Sequence, residues 1–285
     1  MFSKKALLSY AAIMAGMAFA LQSCSEYQKV LKNEEVKPKY DLAQKYYEEE
    51  DYKRANRLFE QIAPKYVGKP QGERVMFFLA NTYFQREDFN MAGYQFERFI
   101  KSYPKSDKVP EASFLGAKSY YELSPEYTLD QTDTDKALAK LQTFINTYPD
   151  SEFFPEANDM AQELTTKKEK KAFEIAKQYN KLGEFNYDML KSAIASLDNF
   201  VSDFPGSIYR EEALYVKVEA TTNLALNSFE ALKPERLQTA KAAYNVLKKQ
   251  YPETKYAEEA DNLLETIEKE LANSTIVLND NKEAK

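Results

Sequence analysis

Histidine and tryptophan are absent from this 285-residue chain, glycine occurs seven times and cysteine once. Without histidine, the chain lacks the commonest general base and the commonest metal ligand of proteins. A single cysteine excludes an intramolecular disulfide and any zinc or iron–sulfur site built from several cysteines. We therefore expect no enzyme here, with no catalytic residue, no metal and no cofactor.

The scarcity of glycine, with 44% hydrophobic and 29% charged residues, is typical of a long, soluble, helix-rich chain and argues against a sheet protein. The formal net charge is −6, and removal of residues 1–23, which hold two lysines and no acidic residue, makes it −8. Neither a basic face for nucleic acid nor a polybasic segment for anionic lipid is present. We expect no nucleic-acid partner and no small-molecule substrate.

The first 23 residues have the composition of a secretory signal peptide. Lys4 and Lys5 precede an apolar run of sixteen residues, Ala6 to Leu21, whereas a comfortable bilayer span needs about 20. Gln22-Ser23-Cys24 follows the run directly. Leu21 to Cys24 resembles a lipobox, the site at which the signal is cleaved and the cysteine acylated. We predict lipidation at Cys24; a chance cysteine after an ordinary signal, or an uncleaved anchor, is the alternative.

A repeated pattern of small and apolar residues follows. An alanine is followed by an apolar residue four positions later and another three after that, and a proline preceded by an aromatic comes five positions further on. Four segments carry the pattern: Ala92/Phe96/Phe99/Pro104, Ala137/Leu141/Phe144/Pro149, Ala193/Leu197/Phe200/Pro205 and Ala240/Tyr244/Leu247/Pro252. Ala55/Phe59/Ile62 is a weaker fifth copy. Steps of three and four place these residues on one helical face, and the proline ends the helix.

A second pattern, an apolar or small residue, alanine and a tyrosine three positions later, marks the first helix of each hairpin. It occurs at Leu42-Ala43/Tyr46, Leu79-Ala80/Tyr83, Gly116-Ala117/Tyr120 and Ile175-Ala176/Tyr179. We expect Ser106, Ser151, Ser207 and Thr254, two residues after the prolines, to act as helix N-caps. Together the two patterns resemble the tetratricopeptide repeat, a helical hairpin of about 34 residues.

The predicted fold is therefore all-α, a solenoid of about five tetratricopeptide-like hairpins in two sub-parts joined by a long helix. Ser124 to Asp135 and Asn227 to Glu235 interrupt the third and fifth hairpins, and the long helix lies between Ser151 and Leu182. We predict a signal peptide at 1–23, a flexible tether at 24–37 and repeats one to three at 38–150. The long helix, repeats four and five and a capping helix follow at 151–272, and a disordered tail at 273–285.

The first helices of such a solenoid line a concave surface that holds extended segments of partner proteins. The predicted peptide-binding positions lie next to the packing pattern: Tyr40, Gln44, Tyr47, Arg74, Phe77, Asn81, Phe84, Glu111, Phe114, Lys118 and Tyr121. The aromatic pairs Tyr40/Tyr47, Phe77/Phe84 and Phe114/Tyr121 lie seven residues apart, on a face that we expect the core not to need. Contact with neighbouring helices or with the inserted loops is the alternative for each residue.

A lipobox, a tether, five degenerate repeats, an insertion in the third and a long helix to the fourth together resemble the BamD family, lipoproteins of the outer-membrane β-barrel assembly machine. The most specific stretch is Tyr40 to Tyr121, including Phe99-Ile100-Lys101-Ser102-Tyr103-Pro104. The resemblance implies a lipid-anchored location at the outer membrane facing the periplasm. It also implies that the C-terminal repeats dock to a BamA-like protein and that the N-terminal repeats bind signal strands of unfolded barrel proteins, which end in aromatic residues. By the family pattern, Arg210 is the residue to test for the BamA-like interface.

Other interpretations remain open. Another periplasmic tetratricopeptide scaffold, coordinating envelope constriction or peptidoglycan synthesis, would normally add a coiled-coil segment, and no sustained heptads occur. A lytic transglycosylase built on a helical solenoid would need a further catalytic domain after the repeats. A glycan-binding lipoprotein of the nutrient-uptake type is usually much longer.

Overall fold

The computed structural model describes residues 26–283, and the side chains among them up to 273. The predicted signal peptide and Cys24 lie outside the described residues. Within 26–283 the chain forms twelve helices and no strand. Their bounds are α1 26–32, α2 Val36–Glu48, α3 Tyr52–Tyr66, α4 Gly72–Gln85, α5 Phe89–Ser102, α6 Val109–Glu122, α7 Thr132–Thr147, α8 Phe154–Leu182, α9 Tyr187–Asp203, α10 Arg210–Leu226, α11 Lys233–Gln250 and α12 Ala257–Glu283.

Successive helices pair as antiparallel hairpins, α2/α3, α4/α5, α6/α7, α8/α9 and α10/α11. Two compact units contain them. Unit 1 comprises the described residues up to Pro125 together with Gln131–Gln162, and unit 2 comprises Glu126–Asp130 together with the residues from Glu163 on. The prediction of an all-α fold of tetratricopeptide-like hairpins is confirmed.

The residues of the repeated alanine pattern form the buried face of each second helix. Ala92, Phe96 and Phe99 of α5 are fully buried, and the corresponding residues of α3, α7 and α9 are at most 2% exposed. Only Tyr244 of the α11 copy remains half-buried. Because burying a large apolar side chain contributes roughly 2 kcal/mol, the two large residues of each copy provide much of the stability of the hairpin.

The tyrosines of the first helices join neighbouring hairpins. Tyr83 of α4 donates its hydroxyl to Glu60 of α3 at 2.5 Å, and Tyr120 of α6 donates to Glu97 of α5 at 2.9 Å. Both members of the second pair lie 37 residues after their counterparts in the first, so the bond is a repeated feature of the hairpin. Burial and the adjacent carboxylates raise the pKa of Tyr83 and that of Tyr120 to about 12.

The turns after α5, α7, α9 and α11 follow the aromatic-proline pattern, but their hydroxyl residues do not act as N-caps. The N-cap of α6 is Lys108, and Ser106 instead accepts a hydrogen bond from the backbone N–H of Lys108 at 3.0 Å. Ser151, Ser207 and Thr254 accept the same bond from the residue two positions on. The hydroxyl residue therefore closes the turn before the helix begins, as Ser and Thr do in side-chain turns.

The segment expected to be a flexible tether, 24–37, is largely helical where the structure describes it. Helix α1 covers 26–32, and Tyr27, Val30 and Leu31 pack against the core of unit 1. These three apolar residues attach to the hairpins a short segment whose other residues are polar or charged. At the other end, α12 continues to Glu283, ten residues beyond the point at which we expect disorder, and no glycine or proline interrupts it.

The predicted long helix is confirmed as α8, which has 29 residues. The predicted interruptions are the connections between α6 and α7 and between α10 and α11. The predicted boundary between the sub-parts at 150/151 differs from the division observed, which falls within α8 after Gln162. Phe153, directly before α8, stacks on Phe114 of α6, and Glu156 in the first turn of α8 forms an ion pair with Lys118 of α6.

Candidate partner-binding surface

A cluster of aromatic and polar side chains joins the first helices α2 and α4 of unit 1. The Tyr47 and Phe78 rings stack at a centroid distance of 4.3 Å, and the Arg74 guanidinium lies 5.1 Å from the centroid of Phe78. The Tyr47 hydroxyl donates to Asn81 Oδ1 at 3.0 Å. We call Tyr47, Arg74, Phe78 and Asn81 the aromatic clamp. Arg74 is exposed and the two rings are half-buried, whereas Asn81 is only 8% exposed and holds Tyr47 from within the unit.

Tyr47 is neutral at any physiological pH. Burial raises the pKa of its phenol to about 12, because a phenolate would lose its hydration there. Arg74 is exposed, and Phe78 is half-buried. The charge that the clamp presents to a partner is therefore the Arg74 guanidinium, which pairs well with a carboxylate.

Phe77 and Phe114 are core residues, so the expectation that packing does not need them is wrong. Phe77 is 6% exposed and meets Phe99 edge-on at 5.5 Å. Phe114 is 2% exposed and stacks on Phe153 at 4.7 Å. A first helix in the middle of a stack packs against second helices on both sides, so its apolar face is wider than the stripe of a two-layer helix. Both rings therefore lie in the core beneath the surface and are not accessible to a partner.

The other predicted positions of α2 and α4 are half-buried and already in contact with neighbours. Tyr40 packs on Tyr66 at 5.9 Å, and Phe84 packs edge-on against Phe89 across the α4–α5 turn at 5.6 Å. Gln44 donates a hydrogen bond to Glu48 on the same helix at 2.9 Å. Tyr40 and Phe84 therefore lie at opposite ends of their hairpins, and the structure does not bring them together with the aromatic clamp.

On α6 one of the predicted positions, Lys118, forms an ion pair with the next hairpin. Lys118 forms an ion pair with Glu156 of α8 at 2.7 Å and lies 5.8 Å from the Phe114 ring centroid. The same arrangement recurs in unit 2, where Lys177 pairs with Glu212 at 2.9 Å. These lysines connect successive first helices. Tyr121 is half-buried, and Glu111 forms an ion pair with Lys108 at 2.7 Å.

Arg210 ties together three helices of unit 2. Its Nη1 donates to the backbone carbonyl of Val201 at the end of α9, and its Nε donates to Gln250 Oε1 at the end of α11 at 3.3 Å. The side chain is half-buried. Arg210 therefore holds a turn in place, and a partner could contact it only along its remaining exposed edge.

Sequence reasoning missed Phe78 and a cleft in unit 2. Phe78 stands four residues after Arg74, a spacing that places both on one helical face and could have identified the pair. The cleft of about 770 Å³ lies between α8, α10 and the 126–130 segment. Exposed Ile175 and the charged side chains of Lys181 and Glu219 are among its lining residues. Burial raises the pKa of Glu219 above its usual value, although the Tyr215 hydroxyl donates to it.

Over residues 26–283, no cluster of three or more cysteine or carboxylate side chains is arranged to hold a metal ion. In the same range, no helix has the length and apolarity to cross a membrane.

The family model described as "YfiO: Outer membrane lipoprotein" matches residues 32–231 and 183–280. The first range alone covers more than half of the chain. No curated protein matches significantly. Among solved structures, one described as "Computational Design of Self-Assembling Cyclic Protein Homooligomers" aligns over 95% of this chain and 99% of its own, with 15% identity and a TM-score of 0.24. A TM-score this low supports no argument about function.

Proposed function

The chain belongs to the YfiO family of outer membrane lipoproteins, and on this premise we propose that it is a BamD-type scaffold of the outer-membrane β-barrel assembly machine. The family is one of non-enzymatic lipoprotein scaffolds. In the proposal, Cys24 carries the lipid anchor and the folded units face the periplasm. Unit 2 docks to the periplasmic domains of a BamA-like protein, and unit 1 binds signal strands of unfolded barrel proteins.

The aromatic clamp is the observation that carries the peptide-binding part of the proposal. A signal strand that ends in an aromatic residue offers a ring and a terminal carboxylate. The ring matches the edge of the Tyr47–Phe78 stack, and offset or edge-on aromatic contacts contribute about 1 kcal/mol each. The carboxylate matches the Arg74 guanidinium, whose bond to a carboxylate is among the stronger hydrogen bonds in proteins.

A peptide titration tests this assignment with a matched control. Arg98 of α5 lies 5.7 Å from the Tyr94 ring centroid and is exposed, so it is an arginine over an aromatic ring like Arg74, but on a second helix. We expect Arg74→Ala to weaken binding of a peptide with the C-terminal sequence of a barrel protein by roughly tenfold, the effect of losing an interface arginine. Arg98→Ala should bind as the unmodified chain does. Equal losses in both variants would refute the clamp as the site.

The docking of unit 2 is tested at Arg210, where structural and interface roles must be separated. Gln250→Ala removes one of the bonds that hold the Arg210 side chain while leaving its charge in place. If Arg210 contacts the BamA-like protein, Arg210→Ala should reduce binding of that protein's periplasmic domains and Gln250→Ala should not. Equal reductions would show that Arg210 acts only by holding the turn.

A further inference from the structure

Helix α1 is attached along its length to the first hairpin. The Tyr27 ring meets Tyr46 edge-on at 5.8 Å, and the Arg54 guanidinium lies 5.8 Å from the Tyr27 centroid. Four residues further on, the carbonyl of Leu31 accepts a hydrogen bond from Lys39 Nζ at 3.2 Å. The segment before the repeats is thus part of the fold of unit 1 from its first described turn.

These contacts fix the direction of α1. Tyr27, near its start, meets Tyr46 near the end of α2, whereas Leu31, near its end, meets Lys39 near the start of α2. Helix α1 therefore runs antiparallel to α2, and its N-terminal end lies beside the α2–α3 turn. After α1, the carbonyl of Glu34 accepts from Lys65 Nζ at 3.4 Å, at the opposite end of the hairpin.

The covalent chain leaves little distance between Glu26 and Cys24. Consecutive Cα atoms are about 3.8 Å apart, so the Cα atoms of these residues are separated by at most roughly 7.6 Å in any conformation. Helix α3, by contrast, has 15 residues and is about 22 Å long at 1.5 Å per residue. An acyl anchor on Cys24 is therefore much closer to one end of the first hairpin than to the other.

We infer that α1 is a rigid strut that presents the α2–α3 turn of unit 1 to the membrane surface. This inference rests on the lipid anchor at Cys24 that is part of the proposed function. The occupant of this end is a lipid surface, because the chain that joins the turn to the acyl groups is too short to place any other layer between them. The exposed acidic residues Glu48, Glu49 and Glu50 of this turn then lie near the headgroups.

Cys24 is the single cysteine of the chain, and in the lipidated protein its sulfur carries the diacylglyceryl group as a thioether. An added cysteine therefore provides the only free thiol for labelling. Glu49→Cys places a fluorophore at the α2–α3 turn, and Val67→Cys places one at the other end of α3, where the side chain is 59% exposed. The lipidated full chain is reconstituted in phosphatidylcholine vesicles that carry a nitroxide on the headgroup. We expect quenching at position 49 to be several-fold stronger than at 67.

Loosening the strut should remove this difference. Tyr27→Ala deletes the ring that meets Tyr46, whereas Tyr27→Phe keeps it and is the matched control. We expect the contrast between positions 49 and 67 to fall in Tyr27→Ala and to persist in Tyr27→Phe. Equal quenching at 49 and 67 in the otherwise unmodified chain, or an unchanged contrast in Tyr27→Ala, overturns the inference.

Intact-mass measurement of the same samples separates the two claims. A mass without acyl chains and a protein that stays off the vesicles would overturn the anchor at Cys24, and the strut with it. An acylated, vesicle-bound protein with equal quenching at both positions leaves the anchor standing and overturns the strut alone.

Discussion

Two adjacent phenylalanines of α4 allow the effect of losing a core residue to be distinguished from the effect of losing a residue that we propose to bind a partner. Phe77 is 6% exposed and contacts Phe96 and Phe99, whereas Phe78 is half-buried and stacks on Tyr47. Truncating a buried phenylalanine to alanine typically costs about 3–5 kcal/mol, because it loses the transfer free energy and leaves a cavity. We expect Phe77→Ala to lower the free energy of unfolding of unit 1 by that amount.

Phe78→Ala should cost less and weaken peptide binding more. It loses the stacked pair, worth about 1 kcal/mol, and a partly buried surface, for a total of about 2 kcal/mol. Urea unfolding followed by circular dichroism measures both variants, and if the units unfold in separate transitions only that of unit 1 should move. A peptide titration then compares their affinities per folded molecule. The reasoning fails if Phe78→Ala is the more destabilised variant, or if Phe77→Ala alone loses affinity while folded.

Three further predictions concern the scaffold. A Cβ at Gly72 would lie 2.2 Å from the Tyr66 carbonyl oxygen, so Gly72→Ala should lower the melting temperature, by an overpacking cost of about 1–3 kcal/mol; Gly206→Ala, which meets nothing within 4 Å, should not. Burial opposes ionisation of Glu97, but hydrogen bonds from Lys140 and Tyr120 outweigh it and lower the pKa of Glu97. The stabilisation that ionised Glu97 contributes is therefore fully present above its unfolded-state pKa and is lost as the pH falls through its folded-state pKa. Glu97→Gln should make the free energy of unfolding fall less steeply on acidification than in the unmodified chain, and an unchanged slope would contradict this. Thr254→Val deletes a hydroxyl that donates to Glu211 at 2.7 Å, and should destabilise unit 2 by about 1 kcal/mol in urea unfolding, with no shift in unit 1.

The fold was predictable because its main determinants are local. Ala92, Phe96 and Phe99 define one buried face by their spacing alone, and an aromatic followed by proline ends four of the five second helices. Tyr83 and Tyr120 lie 37 residues apart, and each donates the same hydrogen bond to a glutamate of the preceding hairpin. Such repeated local rules specify the hairpins without any knowledge of long-range contacts.

The candidate surface was less predictable, since it depends on what each helix meets on both sides. A spacing of seven residues places Phe77 and Phe84 on one face, but nothing in the spacing tells which of Phe77 and Phe78 the next hairpin covers. The structure buries Phe77 and leaves Phe78 half-buried beside Arg74. Helix α1 was missed for a similar reason: its few apolar residues become informative only once the hairpin that they cover is known.

We propose that this outer membrane lipoprotein connects a BamA-like partner to unfolded barrel proteins. Affinity purification of the lipidated chain from membranes, followed by identification of the proteins retained, is the measurement that tests this proposal. We predict recovery of a large β-barrel protein with repeated periplasmic domains. Recovery of peptidoglycan synthases without such a protein would contradict the claim and favour a scaffold of envelope constriction.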